Sequence, residues 1–202
     1  MVRGVEKFKE YFRDYTGQYT FIGGTACDII LGNLGEEFRA TKDLDMVLIL
    51  EELSEEFANT LMTRLGPLHI SDDVVSLSAI LLDDEYYELL KSGIVEVGEV
   101  SVLDLVHIIL FKVKAWLDLS ERKEKGEHID SKNIKKHKND ILRLGASLEK
   151  GSTFSVAGRV REDVEIFINK IEKEPIDPRS LDIRNATFDE ILDSIKICYG
   201  IE

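Results

Sequence analysis

Two carboxylates and a glycine pair are the residues of this 202-residue chain whose types and spacing suit phosphate chemistry. Asp43 and Asp45 lie two residues apart directly before an apolar run, so on a strand both side chains point to the same side of the sheet. Such a pair suits Mg²⁺, which prefers one or two carboxylates together with phosphate oxygens. Gly23, Gly24 and Thr25 precede a short helical pattern, and glycine lets a phosphate approach the backbone N–H groups there. Together the two motifs predict a site that holds a metal ion and a triphosphate.

Each of these motifs also has a purely structural interpretation. An Asp-x-Asp pair is common in a polar loop that leads into a strand, and Gly-Gly-Thr is common in a tight turn between a strand and a helix. Their order along the chain favours the chemical interpretation, because glycines and carboxylates at the ends of adjacent strands face one crevice. Arg39 and Thr41 precede the carboxylates at alternate positions, which extends the second motif to Arg-x-Thr-x-Asp-x-Asp.

Alternating helix and strand patterns surround these motifs in the first hundred residues. Apolar residues at three- and four-residue steps indicate helices, and short β-branched or aromatic runs indicate strands. The predicted helices cover residues 1–15, 26–31, 51–65 and 85–91. The predicted strands cover residues 19–22, 41–50, 74–82 and 94–100, the last with Gly98 as a turn or bulge.

The pattern becomes helical from residue 101 onward. Ser101 is a candidate N-cap with Asp104 three residues later, and the helix that follows, over 103–119, is apolar nearly all round. Further helices are predicted over residues 139–148, 160–172 and 188–198. The predicted fold class is therefore α+β, with a small mixed sheet in domain 1–100 and a C-terminal helical bundle in domain 101–202.

The segment over residues 20–145 resembles the nucleotidyltransferase superfamily related to DNA polymerase β. The signature of that superfamily is an apolar strand, Gly-Gly or Gly-Ser, a helix and then Asp-x-Asp. Gly23-Gly24-Thr25 and Arg39-x-Thr41-x-Asp43-Leu44-Asp45 carry the resemblance. The second motif is most similar to the AbiEii-type branch, which contains abortive-infection toxins and many uncharacterised relatives.

The resemblance implies a fold, a reaction and a set of site residues. In the AbiEii-type branch a lysine on a later helix and an acid after it complete the pocket. Lys112, within Phe111–Ala115, matches the lysine, and Asp140, within Asn139–Ile141, matches the acid. The implied reaction transfers a nucleotide from an NTP to an acceptor, with Mg²⁺ or Mn²⁺ as the metal. The implied site residues are Asp43 and Asp45 for metal binding and catalysis, Gly23, Gly24, Thr25, Arg39 and Thr41 for the nucleotide, and Lys112 and Asp140 for catalysis.

A second interpretation stays open beside this one. The third carboxylate of the family's metal site is expected on a later strand, but the matching strand here carries Ser76 and Ser78, and Asp83 comes only at its end. Lys112 could instead extend to the surface along its apolar stem, and Asp140 could be an ordinary acid on a helix surface. The alternative is a catalytically impaired protein of the nucleotidyltransferase fold that acts as an interaction or regulatory subunit.

The charge balance of the chain limits its partners. With 39 acidic and 26 basic residues the formal net charge is -13, so the overall field disfavours nucleic acid. The basic segment Lys132–Lys138 is either a solvated helix start or a local contact for an RNA acceptor. The resemblance further implies an NTP substrate, an acceptor that is RNA, protein or a small molecule, and an antitoxin protein if the chain is the toxin of a toxin–antitoxin pair.

Cysteine content and hydropathy predict a cytoplasmic protein that has no membrane segment. Cys27 and Cys198 lie far apart and outside any metal-binding spacing, which favours two reduced thiols. The charged, amphipathic N-terminus lacks the apolar region of a signal peptide, and no apolar run reaches the ~18 residues of a membrane span. The histidines do not cluster at zinc-binding spacing, so no zinc site is expected.

Overall fold

The computed structural model describes residues 4–39, 44–65 and 84–201. Within these ranges it contains eight α-helices and one four-stranded mixed sheet, which confirms the α+β fold class. The chain divides into two compact units, Met1–Ile108 and Ile109–Glu202. Four predicted features lie outside the described residues: Thr41, Asp43, the strand over 74–82 and Asp83.

The helices and strands are numbered here in chain order. The helices are α1 (Val5–Phe12), α2 (Gly23–Asn33), α3 (Glu55–Leu65), α4 (Asp84–Ser92), α5 (Leu105–Glu124), α6 (Ser131–Ala146), α7 (Gly158–Ile171) and α8 (Phe188–Tyr199). The strands are β1 (Tyr19–Phe21), β2 (Met46–Leu48), β3 (Ile94–Val97) and β4 (Val100–Leu103). In the part of the chain that the structure describes, no helix has both the length and the apolarity to cross a bilayer.

The sheet belongs to the first unit and has the order β2-β1-β4-β3. Strand β1 pairs antiparallel with β2, with Phe21 opposite Met46, and parallel with β4, with Phe21 opposite Val102. Strands β3 and β4 form a hairpin whose two turn residues, Gly98 and Glu99, both have positive φ angles, 54° and 65°. Positive φ at two central residues gives a turn whose twist matches the strands that flank it.

The predicted N-cap at Ser101 is wrong. Ser101 lies in strand β4, where it is paired with Glu96 of β3, and the sheet continues to Leu103. Asp104 is the residue that caps helix α5, because its Oδ1 accepts the backbone N–H of His107 at 2.9 Å. The local sequence pattern of an N-cap fits both Ser101 and Asp104. The pairing of Ser101 with strand β3 leaves Asp104 as the cap.

An aromatic cluster forms the core of the first unit. Phe8 and Phe12, one turn apart on α1, stack with 4.3 Å between their ring centroids. Phe8 also lies 5.0 Å from both Tyr19 and Phe21 of strand β1, and Phe12 meets Phe57 of α3 at 5.5 Å. All five rings are at most 1% exposed, so the apolar face of α1 is buried against strand β1 and helix α3.

The second unit is helical. A Cβ atom added at Gly145 of α6 would lie 2.7 Å from Cδ1 of Ile195, so glycine permits the close approach of α6 to α8. Trp116 of α5 packs edge-on against Phe167 of α7, with 5.3 Å between the ring centroids. These contacts join all four helices of the unit in two pairs.

Helix α8 has well-formed caps at both ends. Thr187 and Glu190 form a reciprocal capping box, in which Glu190 Oε2 accepts the Thr187 N–H at 2.7 Å. The bonds that Glu190 accepts from the backbone and side chain of Thr187 hold its pKa below the usual value. Gly200, with φ 63°, ends the helix in the left-handed conformation.

Candidate functional site

The glycine pair forms the first turn of helix α2 and does not precede it. The helix begins at Gly23, three residues earlier than the predicted start, because Gly23 takes a left-handed φ of 59° that allows the chain to turn directly out of β1. The residue before it, Ile22, is extended and provides no side-chain cap. The N–H groups of the first helical turn therefore need acceptors from elsewhere in the chain.

Asp45 supplies one of these acceptors from the neighbouring chain segment. Its Oδ2 accepts the backbone N–H of Gly24 at 3.0 Å, which places the carboxylate at the positive end of α2. Its Oδ1 has no hydrogen-bond partner among the described residues, and the side chain is half-buried. One oxygen thus caps the helix while the other is available to a cation.

The backbone of Asp45 is held at both of its polar groups. Its N–H donates to Thr25 Oγ1 at 3.1 Å, and its carbonyl oxygen accepts the N–H of Ile22 at 3.0 Å. Thr25 is fully buried. The sequence assigns Thr25 to the triphosphate, whereas the structure turns its hydroxyl towards the backbone of Asp45.

Gly23 is required by the position of the Asp45 carboxylate as well as by its own φ angle. A Cβ atom at this position would lie 2.5 Å from Asp45 Oδ2 and 3.1 Å from Asp45 Cβ. Any other residue would therefore displace the carboxylate from the helix. Gly23, Gly24, Thr25 and Asp45 form one local cluster, called the Gly–Asp cluster below.

The donor set of the Gly–Asp cluster fits a hard cation. Asp45 provides a carboxylate oxygen, and Mg²⁺ or Mn²⁺ prefers carboxylate and phosphate oxygens in its shell. Among the described residues no group of three or more His, Cys, Asp or Glu side chains is close enough to hold a metal ion. A metal at this position would depend on Asp45, on phosphate oxygens and on Asp43, which lies outside the described ranges.

Arg39 lies beside a cleft of the first unit. Its guanidinium is 5.0 Å from the ring centroid of Phe38, which lines a cleft of about 520 Å³. The cleft runs along α1, the second half of α2 and the β3–β4 hairpin, with Lys9 and Asp28 among its polar lining. None of the predicted site residues that the structure describes lines this cleft, so its volume does not mark the Gly–Asp cluster.

Lys112 and Asp140 form a buried ion pair inside the second unit. Lys112 Nζ on α5 donates to Asp140 Oδ2 on α6 at 2.9 Å, and the two side chains are 5% and 0% exposed. Arg143 Nη1 lies 3.9 Å from the other carboxylate oxygen, and its Nε donates to the carbonyl of Leu181. Two of the expectations stated above for these residues are therefore wrong. The Lys112 ammonium does not extend to the surface, and Asp140 is not an acid on a helix surface.

A second buried pair, which was not predicted from the sequence, links α5 to α7. Lys114 Nζ donates to Asp163 Oδ2 at 3.1 Å, and both residues are buried. One signal was present in the sequence: Asp163 interrupts the apolar face that Val160, Val164 and Phe167 form. An acid in such a stripe is costly to bury without a cation, so it predicts a basic partner.

The basic segment Lys132–Lys138 forms the first half of α6. Lys132, Lys135 and Lys136 are exposed, share one helix face and make no salt bridge within the described ranges. Lys138 differs, because it pairs with Glu174 at 3.0 Å. The exposed face therefore carries three positive charges that remain available to an anionic partner.

A Ser–His–Asp chain of hydrogen bonds in the first unit was also not predicted from the sequence. Ser92 Oγ lies 3.1 Å from His107 Nε2, and His107 Nδ1 lies 2.7 Å from Asp104 Oδ1. However, the same Asp104 oxygen caps α5, and Ser92 Oγ also donates to a carbonyl of its own helix at 2.9 Å. The N–H of Gly93 is likewise bonded within α4, so it is not available as an oxyanion donor. The chain is best explained as the junction between α4 and α5.

This explanation predicts unequal effects at the two ends of the chain. We expect Asp104→Ala to lower the free energy of unfolding by about 1–2 kcal/mol, because it removes the helix cap and the imidazole's acceptor. Ser92→Ala should cost less, about 0.5–1 kcal/mol, because the two hydrogen bonds that it removes are exposed or only part-buried. Urea unfolding followed by circular dichroism measures both. Labelling of Ser92 by a fluorophosphonate probe would contradict a purely structural role.

Among the described residues, every candidate except Arg39 thus belongs to one of two clusters, one in each unit: the Gly–Asp cluster and the Lys112–Asp140 pair. The Gly–Asp cluster presents a carboxylate and a helix N-terminus, which suit a metal ion and phosphates. The Lys112–Asp140 pair is an ion pair that is buried from solvent. Comparison of the chain with protein-family models, curated proteins and solved structures finds no match.

Proposed function

We propose that this protein is an AbiEii-like nucleotidyltransferase that uses Mg²⁺ or Mn²⁺ to transfer a nucleotide from an NTP to RNA, a protein or a small molecule, with release of pyrophosphate. The observation that carries the proposal is the Gly–Asp cluster, in which a carboxylate with one available oxygen stands at the N-terminus of a glycine-started helix. We place the reaction in the cytoplasm, and its biological role as that of a toxin with an antitoxin partner.

In the first unit, one set of residues would bind the metal and another would bind the nucleotide. Asp43 and Asp45 would hold the metal, which when bound neutralises phosphate charge and aligns the attacking and leaving oxygens. The N–H of Gly23 would face the triphosphate at the positive end of α2, and the N–H of Gly24 would join it once the Asp45 carboxylate turns to the metal. Arg39 and Thr41 would add polar contacts to the nucleotide.

The other two residues of the proposal, Lys112 and Asp140, lie in the second unit. Lys112 is buried against Asp140 in this structure, so a phosphate contact would require its ammonium to exchange one anionic partner for another. Asp140 would then orient the acceptor or accept its proton. An RNA acceptor would find the exposed face of Lys132, Lys135 and Lys136 complementary in charge.

A second candidate function is that of a non-catalytic interaction or regulatory subunit. One observation favours it: the Asp45 carboxylate and the Lys112 ammonium, two groups that the transferase needs, already have partners within the chain. Asp45 caps α2, and Lys112 is buried against Asp140. A chain that uses these residues only for folding would show the same contacts.

Nucleotide binding separates the two functions. We expect the wild-type protein to bind one or more NTPs in Mg²⁺ by calorimetry, and Asp45→Asn or Asp43→Asn to weaken that binding by at least about tenfold, since a metal ligand is lost. Asparagine at position 45 keeps an acceptor for the Gly24 N–H, so the fold should be retained. A labelled-NTP screen of cell extract then identifies the acceptor.

A matched control is available in helix α6. Asp130 also caps a helix N-terminus, where its Oδ1 accepts the N–H of Lys132 at 2.8 Å. Asp130→Asn should leave NTP affinity unchanged. Equal NTP binding by wild type and Asp45→Asn, with no labelled acceptor, would contradict the transferase and favour the subunit.

A further inference from the structure

The contacts of the Thr25 hydroxyl indicate a role that differs from the triphosphate contact its motif implies. Thr25 follows the glycine pair and would be taken as a triphosphate contact, yet its side chain is fully buried. Its Oγ1 accepts the backbone N–H of Asp45 at 3.1 Å. The atom that could meet a phosphate is therefore engaged with the chain segment that carries the metal ligand.

We infer that Thr25 is a positioning residue for Asp45, fixing its backbone so that only the carboxylate can move. The inference rests on the proposed function, since it concerns the metal ligand of that site. Strand β2 has only three residues, and Asp45 lies just before it, at the end of the ladder. The hydrogen bonds to Thr25 and Ile22 satisfy the backbone N–H and carbonyl of Asp45. The pairing of β2 with β1 begins only at the next residue, Met46.

Fixing the backbone matters because metal ligands must be held closely. With its N–H and carbonyl both bonded, Asp45 can change only its side-chain torsions, which lets the carboxylate turn between the Gly24 N–H and a metal. Misplacement by an ångström is enough to cost much of an oriented interaction. Loss of the Thr25 acceptor would free the Asp45 N–H and loosen this segment.

The chain contains a close control for the Thr25 hydroxyl. Thr20, on the adjoining strand β1, is also fully buried, but its Oγ1 has no hydrogen-bond partner among the described residues. Replacing either threonine with valine removes a buried hydroxyl at nearly constant volume. Only the change at position 25 removes a bond to Asp45.

The experiment compares wild type, Thr25→Val, Thr25→Ser and Thr20→Val by calorimetry. The probe is inorganic tripolyphosphate, titrated once with equimolar Mn²⁺ and once with EDTA. With Mn²⁺ we expect Thr25→Val to bind roughly tenfold more weakly, the lower end of the effect of a residue that orients a metal ligand. Thr25→Ser and Thr20→Val should stay within about twofold of wild type, because the first keeps the acceptor and the second never had a partner. In EDTA, Thr25→Val should match wild type.

Each other outcome has a definite meaning. If wild type binds Mn²⁺–tripolyphosphate and Thr25→Val binds it equally well, the positioning role is overturned while the proposed function stands. If Thr25→Val also loses tripolyphosphate in EDTA, Thr25 is a phosphate contact and the inference is wrong. If wild type does not bind at all, the proposed function fails and the inference fails with it.

A measurement on wild type alone covers the case in which Thr25→Val does not fold. The amide proton of Asp45 should exchange slowly with solvent by NMR, because it is bonded to a buried oxygen. Exchange of the Asp45 amide as fast as that of an exposed loop residue would overturn the inference without any variant.

Discussion

Replacing Asp140 with alanine is expected to lower the free energy of unfolding by about 3–5 kcal/mol, the usual cost of breaking a buried ion pair from one side. The change leaves the Lys112 ammonium, 5% exposed, without its carboxylate. It also removes the anion that faces Arg143 at 3.9 Å. Urea unfolding can be followed through Trp116, the single tryptophan, which packs in the second unit.

The second buried pair provides the comparison for this prediction. Lys114 and Asp163 have side chains that are 11% and 12% exposed, so water can partly solvate a charge that is left behind. Asp163→Ala should therefore cost less, about 1–3 kcal/mol, the penalty for one unsatisfied buried group. If Asp140→Ala cost no more than Asp163→Ala, the difference in burial would not govern the energetics of the two pairs.

Removing both charges at once tests whether the pair serves more than folding. A Lys112→Met/Asp140→Leu variant should recover most of the lost stability, since apolar groups of similar size replace buried ion pairs at little cost. Activity of Asp140→Ala alone would be hard to interpret, because misfolding and a catalytic defect give the same loss. A stable double variant that fails to transfer nucleotide would separate the two.

Local patterns were sufficient for most of the secondary structure. The helical repeat predicted α8 almost to the residue, because its apolar positions, capping box and terminal glycine all agree. The start of α5 was misjudged, since Ser101 and Asp104 are both acceptable caps locally. Only the pairing of residues 100–103 with residues 94–97 assigns Ser101 to a strand, and that pairing is not encoded in a local pattern.

The geometry of the candidate site likewise depends on long-range pairing and packing that local sequence patterns do not encode. The sequence places the glycine pair and Asp45 at one crevice, but their direct hydrogen bond depends on the antiparallel register of β1 and β2. For Lys112 and Asp140, 28 residues apart, each side chain alone is compatible with an exposed position. Tertiary packing of α5 on α6 decides that they are buried together.

Gly23→Ala is expected to disturb both the fold and the candidate site. The left-handed φ of 59° costs an alanine about 1–2 kcal/mol. The new Cβ would also lie 2.5 Å from Asp45 Oδ2, and expelling the carboxylate loses a helix cap worth about 1 kcal/mol. The expected total is about 2–3 kcal/mol by urea unfolding, together with loss of Mn²⁺–tripolyphosphate binding, since Asp45 can no longer occupy its position.

Two comparisons separate the strain at Gly23 from the contact with Asp45. Gly151 has φ 82° and no atom within 4 Å of an added Cβ, so Gly151→Ala should show the conformational cost alone. In an Asp45→Ala background the clash is absent, and Gly23→Ala should then cost no more than Gly151→Ala. The coupling energy of that double-mutant cycle, expected at about 1 kcal/mol, measures the fit between glycine and carboxylate. A coupling near zero would mean that the Asp45 carboxylate does not cap α2 in solution, and the Gly–Asp cluster would then no longer support a site at this helix.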